Sequence, residues 1–237
     1  MNAFDFARFR QLAGQHLRRD EPQPGDLIAR PRSDFDLDRL HPAGMGLPGA
    51  DVTGLALAGA AAALPDEASL KPAAVLVPVI NRPGGATVLL TLRAAALRDH
   101  SAQIAFPGGK IDAGDASPVE TALREAEEEI GLSRVHVTPL GFLDAYLTGT
   151  GYRIVPVVAA VEPAFELSIN RGEVDEAFET PLGFLMNPAN HERHGRIWKG
   201  SYRSYYAMAY ADRYIWGATA GILRNLHDRL LGATQTP

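Results

Sequence analysis

Three glutamates, Glu125, Glu128 and Glu129, follow one another at i, i+3 and i+4. On a helix with about 100° per residue, and with Val119 at zero, Glu128 falls near 180°, Glu125 near 240° and Glu129 near 280°. Leu123, Ala126 and Ile130 fall within roughly 40° of Val119, so the spacing predicts three carboxylates grouped opposite the core face. Glu120 and Glu127, near 80 to 100°, stand apart from them. Like charges at these spacings repel by a few tenths of a kcal/mol each, so helix stability alone disfavours the cluster. A divalent cation removes the objection. The chain has no cysteine, which leaves oxygen or imidazole as metal ligands, and carboxylates suit Mg²⁺ or Mn²⁺ joined to substrate phosphates.

The helix that must present these acids is sharply bounded. Ser117 caps it, Pro118 suits its first turn, Glu120 completes a Ser-x-x-Glu capping box, and Gly131 supplies the stop. Apolar runs at 74–80, 87–93, 135–145, 154–161 and 205–210 predict strands. A second helical pattern at 217–231 closes the chain, with Ile222, Leu223, Leu226, Leu230 and Leu231 on one face. Strands mixed with helices imply an α/β (α+β) layered fold. Residues 1–71 read as a short amphipathic helix and then a Pro/Ala/Gly-rich extended arm, with one helical turn at 55–64; the compact domain is expected over 72–237.

Residues 112–129 carry seven acids against one base, Arg124, a net of −6 in a chain whose formal charge is −5. The rest is close to neutral, so a broad nucleic-acid-binding surface is not expected. The longest uncharged run, between Asp51 and Asp66, is shorter than the ~20 apolar residues of a membrane span. Neither a membrane segment nor a secretory signal is expected, and the absence of cysteine is compatible with a cytoplasmic protein. A homodimer is expected from base rates alone.

The residues around the cluster resemble a known motif. Gly108-Gly109-Lys110-Ile-Asp-Ala-Gly-Asp115 leads into Thr-Ala-Leu-Arg124-Glu125-Ala-Glu-Glu128-Glu129-Ile-Gly131-Leu132. This is similar to the Nudix box, which ends Arg-Glu-(apolar)-x-Glu-Glu-x-Gly-(apolar), and positions 124–132 fill every place of that ending. Asp115 occupies the place of the box's first Glu, and the eight residues between it and Arg124 are one more than the general pattern has. Upstream, Leu89-Leu90-Thr91-Leu92-Arg93-Ala94, Arg98 and Phe106-Pro107-Gly108-Gly109 resemble the signature of the coenzyme A pyrophosphatase branch, with Ala102 where that signature has Gly.

The resemblance implies a Nudix-type α/β/α sandwich with a mixed central sheet. It also implies metal-dependent cleavage of the pyrophosphate of coenzyme A or its thioesters, a small-molecule substrate. Glu125, Glu128 and Glu129 match the family's metal ligands for Mg²⁺ or Mn²⁺. Arg124 braces a carboxylate, while Gly108 and Gly109 let the loop approach metal and phosphate. Arg93, Arg98 and Lys110 are candidates for the substrate phosphates. The base that activates water is Glu128, Glu129, or a loop acid such as Glu173. Two alternatives stay open: another nucleoside diphosphate-linked substrate, such as an ADP-sugar or dinucleotide, and a noncatalytic ligand-sensing domain. Tyr202, Tyr205, Tyr206, Tyr210 and Tyr214 include candidates for base stacking, although tyrosines in strands more often serve packing. His191 and His194, expected in a loop, lack zinc-hydrolase spacing.

Overall fold

The computed structural model describes residues 4–24, 32–33, 69–97, 102–198 and 201–232. In chain order these form α1 (Phe6–His16), β1 (Arg32–Ser33), β2 (Lys71–Ile80), β3 (Thr87–Arg93), β4 (Ile104–Ala105), β5 (Gly108–Lys110) and α2 (Pro118–Ile130). There follow β6 (Val137–Phe142), β7 (Tyr146–Leu147), β8 (Tyr152–Val161), β9 (Val174–Pro181) and the short α3 (Leu182–Leu185). The chain then forms β10 (Glu192–Trp198), β11 (Ser201–Tyr210), β12 (Arg213–Trp216) and α4 (Ala218–Leu231). None of the described helices is long and apolar enough to cross a membrane.

The centre is the parallel pairing of β2 with β8, in register from Lys71 opposite Tyr152 to Ile80 opposite Val161. Alternate residues of β2 feed two separate cores. Ala74, Leu76 and Ile80 meet Ala122, Leu123, Ala126 and Ile130 of α2. Val77 and Val79 face the other way, into a cluster with Phe9 and Ala13 of α1 and Ile222, Leu223 and Leu226 of α4. A parallel pair buried on both faces needs such unbroken apolar runs. The layering is therefore α/β/α around a mixed sheet, to which β5 adds on β2, β6 and β7 on β8, and β9 on β3. A separate antiparallel sheet holds β10, β11 and β12.

Helix α2 has the predicted ends. Ser117 Oγ accepts from the Glu120 N–H at 3.3 Å, and Gly131 takes the left-handed conformation at φ +68° that lets a helix stop there. Other expectations are corrected. The run 135–145 is not one strand, because a 3₁₀ turn at Arg134–His136 precedes β6, whose pairing with β8 shifts register between Pro139 and Gly141. A further strand, β9, which was not among the expected runs, follows Glu173; its acids Asp175, Glu176 and Glu179 interrupt the apolar pattern. His194 lies in β10, not in a loop. The helical turn expected at 55–64 lies outside the described residues.

Strand β3 ends on a register shift at Leu92/Arg93 against β9, a bulge that re-aims the side chain it carries. The connection from there to β4 is closed by Ala102 N–H to Arg93 O at 3.1 Å and Arg93 N–H to Gln103 O at 3.0 Å. Ala102 sits at φ +56°, a left-handed conformation that costs a residue with a Cβ about 1–2 kcal/mol. Ala102→Gly is expected to raise stability by about 1 kcal/mol, or roughly 2–4 °C in Tm for a chain of this size. Calorimetry showing an unchanged or lower Tm would mean the turn carries no strain.

Candidate active site

Strand β5 lies antiparallel on β2, with Ala74 opposite Gly109 and Val75 opposite Gly108. This places the glycine pair between the sheet and α2. A Cβ on Gly108 would stand 2.7 Å from Val75 Cα, and one on Gly109 would stand 2.5 Å from the Glu125 carboxyl carbon. The first clash is with backbone, so Gly108 admits no side chain; the second is with the Glu125 carboxylate, so a side chain at 109 would push that acid aside.

Against that loop the three predicted carboxylates take different positions. Glu129 is not on an open face opposite the core; it is 2% exposed. It accepts the Gly108 N–H at 3.3 Å, and Arg93 Nη1 stands 3.7 Å away. The correction follows from the sheet, because β5 covers the side of α2 that helix geometry alone leaves open. Glu125 is largely buried, and Glu128 has a side chain 55% exposed. Both accept from Arg124 Nη1 at 3.0 Å. Glu120 and Glu127 turn away to Arg134, at 3.2 and 3.6 Å.

Arg124 is locked from behind. Asp115 accepts its Nε at 3.0 Å and its Nη2 at 2.9 Å, and also the Thr121 hydroxyl and the Asp112 N–H. The Arg124 guanidinium above all holds Asp115 far below the usual carboxylate range, while Asp115 raises Arg124 in turn. Asp115 thus fixes the arginine that holds Glu125 and Glu128. Sequence pattern had marked only its place in the box.

Glu173 joins the group from the turn before β9. The Asn170 amide donates to its Oε1 at 3.1 Å. The backbone N–H of Asn170 bonds Glu129 O at 2.9 Å, and Ala94 N–H bonds Glu173 O at 2.9 Å. The turn is therefore tied both to the end of α2 and to the bulged end of β3. Glu125, Glu129, Glu173, Arg93, Lys110 and the glycine pair all line one cleft of about 700 Å³. Glu128 and Arg124 stand outside its lining, and Arg98 lies outside the described residues. The opposite wall includes Tyr152, Tyr205, Trp216 and Thr219; Trp216 had no signal marking it as a wall residue.

The gathered charge is visible in the acidities. Burial raises Glu125, with Arg124 opposing and Glu128 and Glu173 adding to the rise. Burial pushes Glu129 up to about 7, assisted by Glu125 and Glu173 and opposed by the Gly108 N–H and Arg93.

The model of the NUDIX domain family matches residues 70–198 of this chain. The chain belongs to the Nudix family. Over 164 residues it is 40% identical to the uncharacterized Nudix hydrolase NudL of Cronobacter sakazakii, covering 66% of this chain and 81% of that protein. The NudL of Escherichia coli K12 is 38% identical over the same span. Among solved structures, it is similar to a Nudix hydrolase, RenU, of M. smegmatis at 24% identity, with a TM-score of 0.41 over 48% of this chain and 71% of that one. It is also similar to a C. elegans Ap4A hydrolase in a binary complex at 20% identity and a TM-score of 0.41, over 47% and 80%. The chain is a Nudix pyrophosphohydrolase, a class that generally uses divalent cations such as Mg²⁺ or Mn²⁺.

The donor set fits such a cation: hard carboxylate oxygens, mutually repelling, beside a loop without side chains. Among the described residues no three such side chains stand ready around one point, because Arg124 draws Glu125 and Glu128 to itself.

Glu129 binds a proton more tightly folded than unfolded, so its contribution to stability is full below about pH 4.5 and lost as pH rises through about 7. In chelator, the Tm of the metal-free Nudix protein is therefore expected to fall between pH 5 and 8, and Glu129→Gln should flatten that slope. An equal slope in the variant would place the titration elsewhere.

Proposed function

We propose that this Nudix hydrolase cleaves the pyrophosphate bond of coenzyme A or its thioesters, releasing adenosine 3',5'-bisphosphate and a 4'-phosphopantetheine product. The observation that carries the reading is the position of Arg93. This residue of the coenzyme A pyrophosphatase-like signature is turned by a β-bulge into the cleft, 3.7 Å from Glu129.

Glu125, Glu128 and Glu129 would hold Mg²⁺ or Mn²⁺. When bound, the cation supplies neutralisation of the phosphoryl oxygens and Lewis acidity toward the attacking water. Arg124, anchored on Asp115, positions Glu125 and Glu128. Arg93 and Lys110 face the diphosphate oxygens, with Arg98 as a further signature cation, and Gly108 and Gly109 leave the phosphates room to approach. Glu173, oriented by Asn170, is the base. It takes a proton from water as the new O–P bond forms, the bridging O–P bond breaks, and the leaving phosphate departs as an anion. Ala102 in place of the signature's Gly favours a second reading, another nucleoside diphosphate-linked substrate.

The deciding experiment incubates the purified protein with Mg²⁺ or Mn²⁺ and coenzyme A, dephospho-coenzyme A, NADH, ADP-ribose or 8-oxo-dGTP, and identifies products by mass. Coenzyme A should be split fastest, and Glu128→Gln should lose turnover at least tenfold. Preference for ADP-ribose would sink the substrate assignment. Independently of turnover, Mg²⁺ or Mn²⁺ should raise the Tm, and replacing Glu125 and Glu129 together with Gln should abolish the rise.

A further inference from the structure

The carboxylates occupy only part of the cleft. Much of the remaining wall comes from β11, β12 and the start of α4, through Ser204, Tyr205, Trp216, Thr219 and Ile222. All five lie beyond residues 70–198, the span matched by the Nudix family model. The cation-holding half of the cleft thus comes from the family domain, and this wall comes from the chain that follows it.

The wall has a built aromatic centre. Tyr205 meets Trp216 edge to face, with ring centroids 5.5 Å apart at 64°. Behind Tyr205, His194 of β10 lies nearly parallel at 5.9 Å and 26°, and Tyr214 abuts the same imidazole at 6.3 Å. Both Tyr205 and Trp216 are half-buried. Four rings from three strands hold two of their number against a cleft that begins at the carboxylates. Such rings offer a face for offset or edge contact with a flat ligand ring.

Hydroxyls also line the cleft. Thr219 Oγ1 donates to Ile104 O at 2.9 Å, and buried Thr148 shares a hydrogen bond with Thr150 at 2.9 Å. A heteroaromatic ring brings both a π face and an edge of donors and acceptors.

We propose that Tyr205 and Trp216 form the stacking wall for the nucleobase of a nucleoside diphosphate-linked substrate, so that residues outside the family match select what the carboxylates cleave. The inference rests on the pyrophosphohydrolase reading but not on coenzyme A as the substrate.

The test compares AMP with ribose 5-phosphate, which differ only by the base, in calorimetric titrations of the full chain with Mg²⁺. Wild type should bind AMP at least tenfold more tightly. Trp216→Leu should weaken AMP about tenfold and change ribose 5-phosphate less than twofold, and Trp216→Phe should keep AMP affinity within about threefold. The chain has two tryptophans, so Trp198→Phe leaves Trp216 as sole reporter even if Trp216→Leu misfolds. AMP should quench its fluorescence and ribose 5-phosphate should not. Equal binding of the two ligands by wild type, or equal weakening of both by Trp216→Leu, overturns the proposal. Base-dependent binding without cleavage of coenzyme A supports the wall and overturns the substrate.

Discussion

Everything at the site depends on one unfavourable arrangement, the burial of the Glu129 carboxylate beside Glu125 and Glu173. A buried carboxylate resists ionisation, and two further acids nearby deepen the resistance. The Gly108 N–H and Arg93 offset this only in part, which leaves Glu129 titrating near 7. A group held this way binds a proton readily, and on the proposed reading a cation takes the proton's place. The architecture serves to keep it there: β5 closes over α2, the Asn170 turn is tied to the helix end, and Asp115 fixes Arg124.

The central β2–β8 pair is what makes such an arrangement rigid. It is buried on both faces, so α2 on one side and α1 with α4 on the other pack against a sheet with little freedom to shift. The bulge at Arg93 and the left-handed Ala102 are local departures from regular structure, and both fall where β3 hands its chain to the cleft. Local strain beside a site is bearable because this rigid frame holds it.

Much of this was legible in residue order. Helix α2 was bounded by its cap, its Pro and its Gly, all local signals, and the grouping of Glu125 and Glu128 followed from helix geometry. What helix geometry could not show was that β5 would cover Glu129, since that depends on pairing between residues 73–75 and 108–110. The same limit hid β9, where Asp175, Glu176 and Glu179 break the apolar pattern and pairing with β3 makes the strand. Arg93 and the glycine pair were placed by resemblance to a signature, and their meeting with Glu129 required the fold. Tyr205 was one of five tyrosines marked as base-stacking candidates and could not be told from the others, and Trp216 escaped because aromatic residues in strands usually serve packing; only the position of a separate small sheet brings these two to the cleft.

The central claim is that the buried acid cluster is a cation site occupied by a proton when the cation is absent. The most direct measurement is the number of protons released when Mn²⁺ binds, from calorimetric titrations in buffers of different ionisation enthalpy between pH 6 and 8. The release should approach about one proton per cation near pH 6 and fade toward pH 8, as expected for displacement from an acid titrating near 7. Mn²⁺ binding with no proton release anywhere in that range, or no binding at all, would contradict the account.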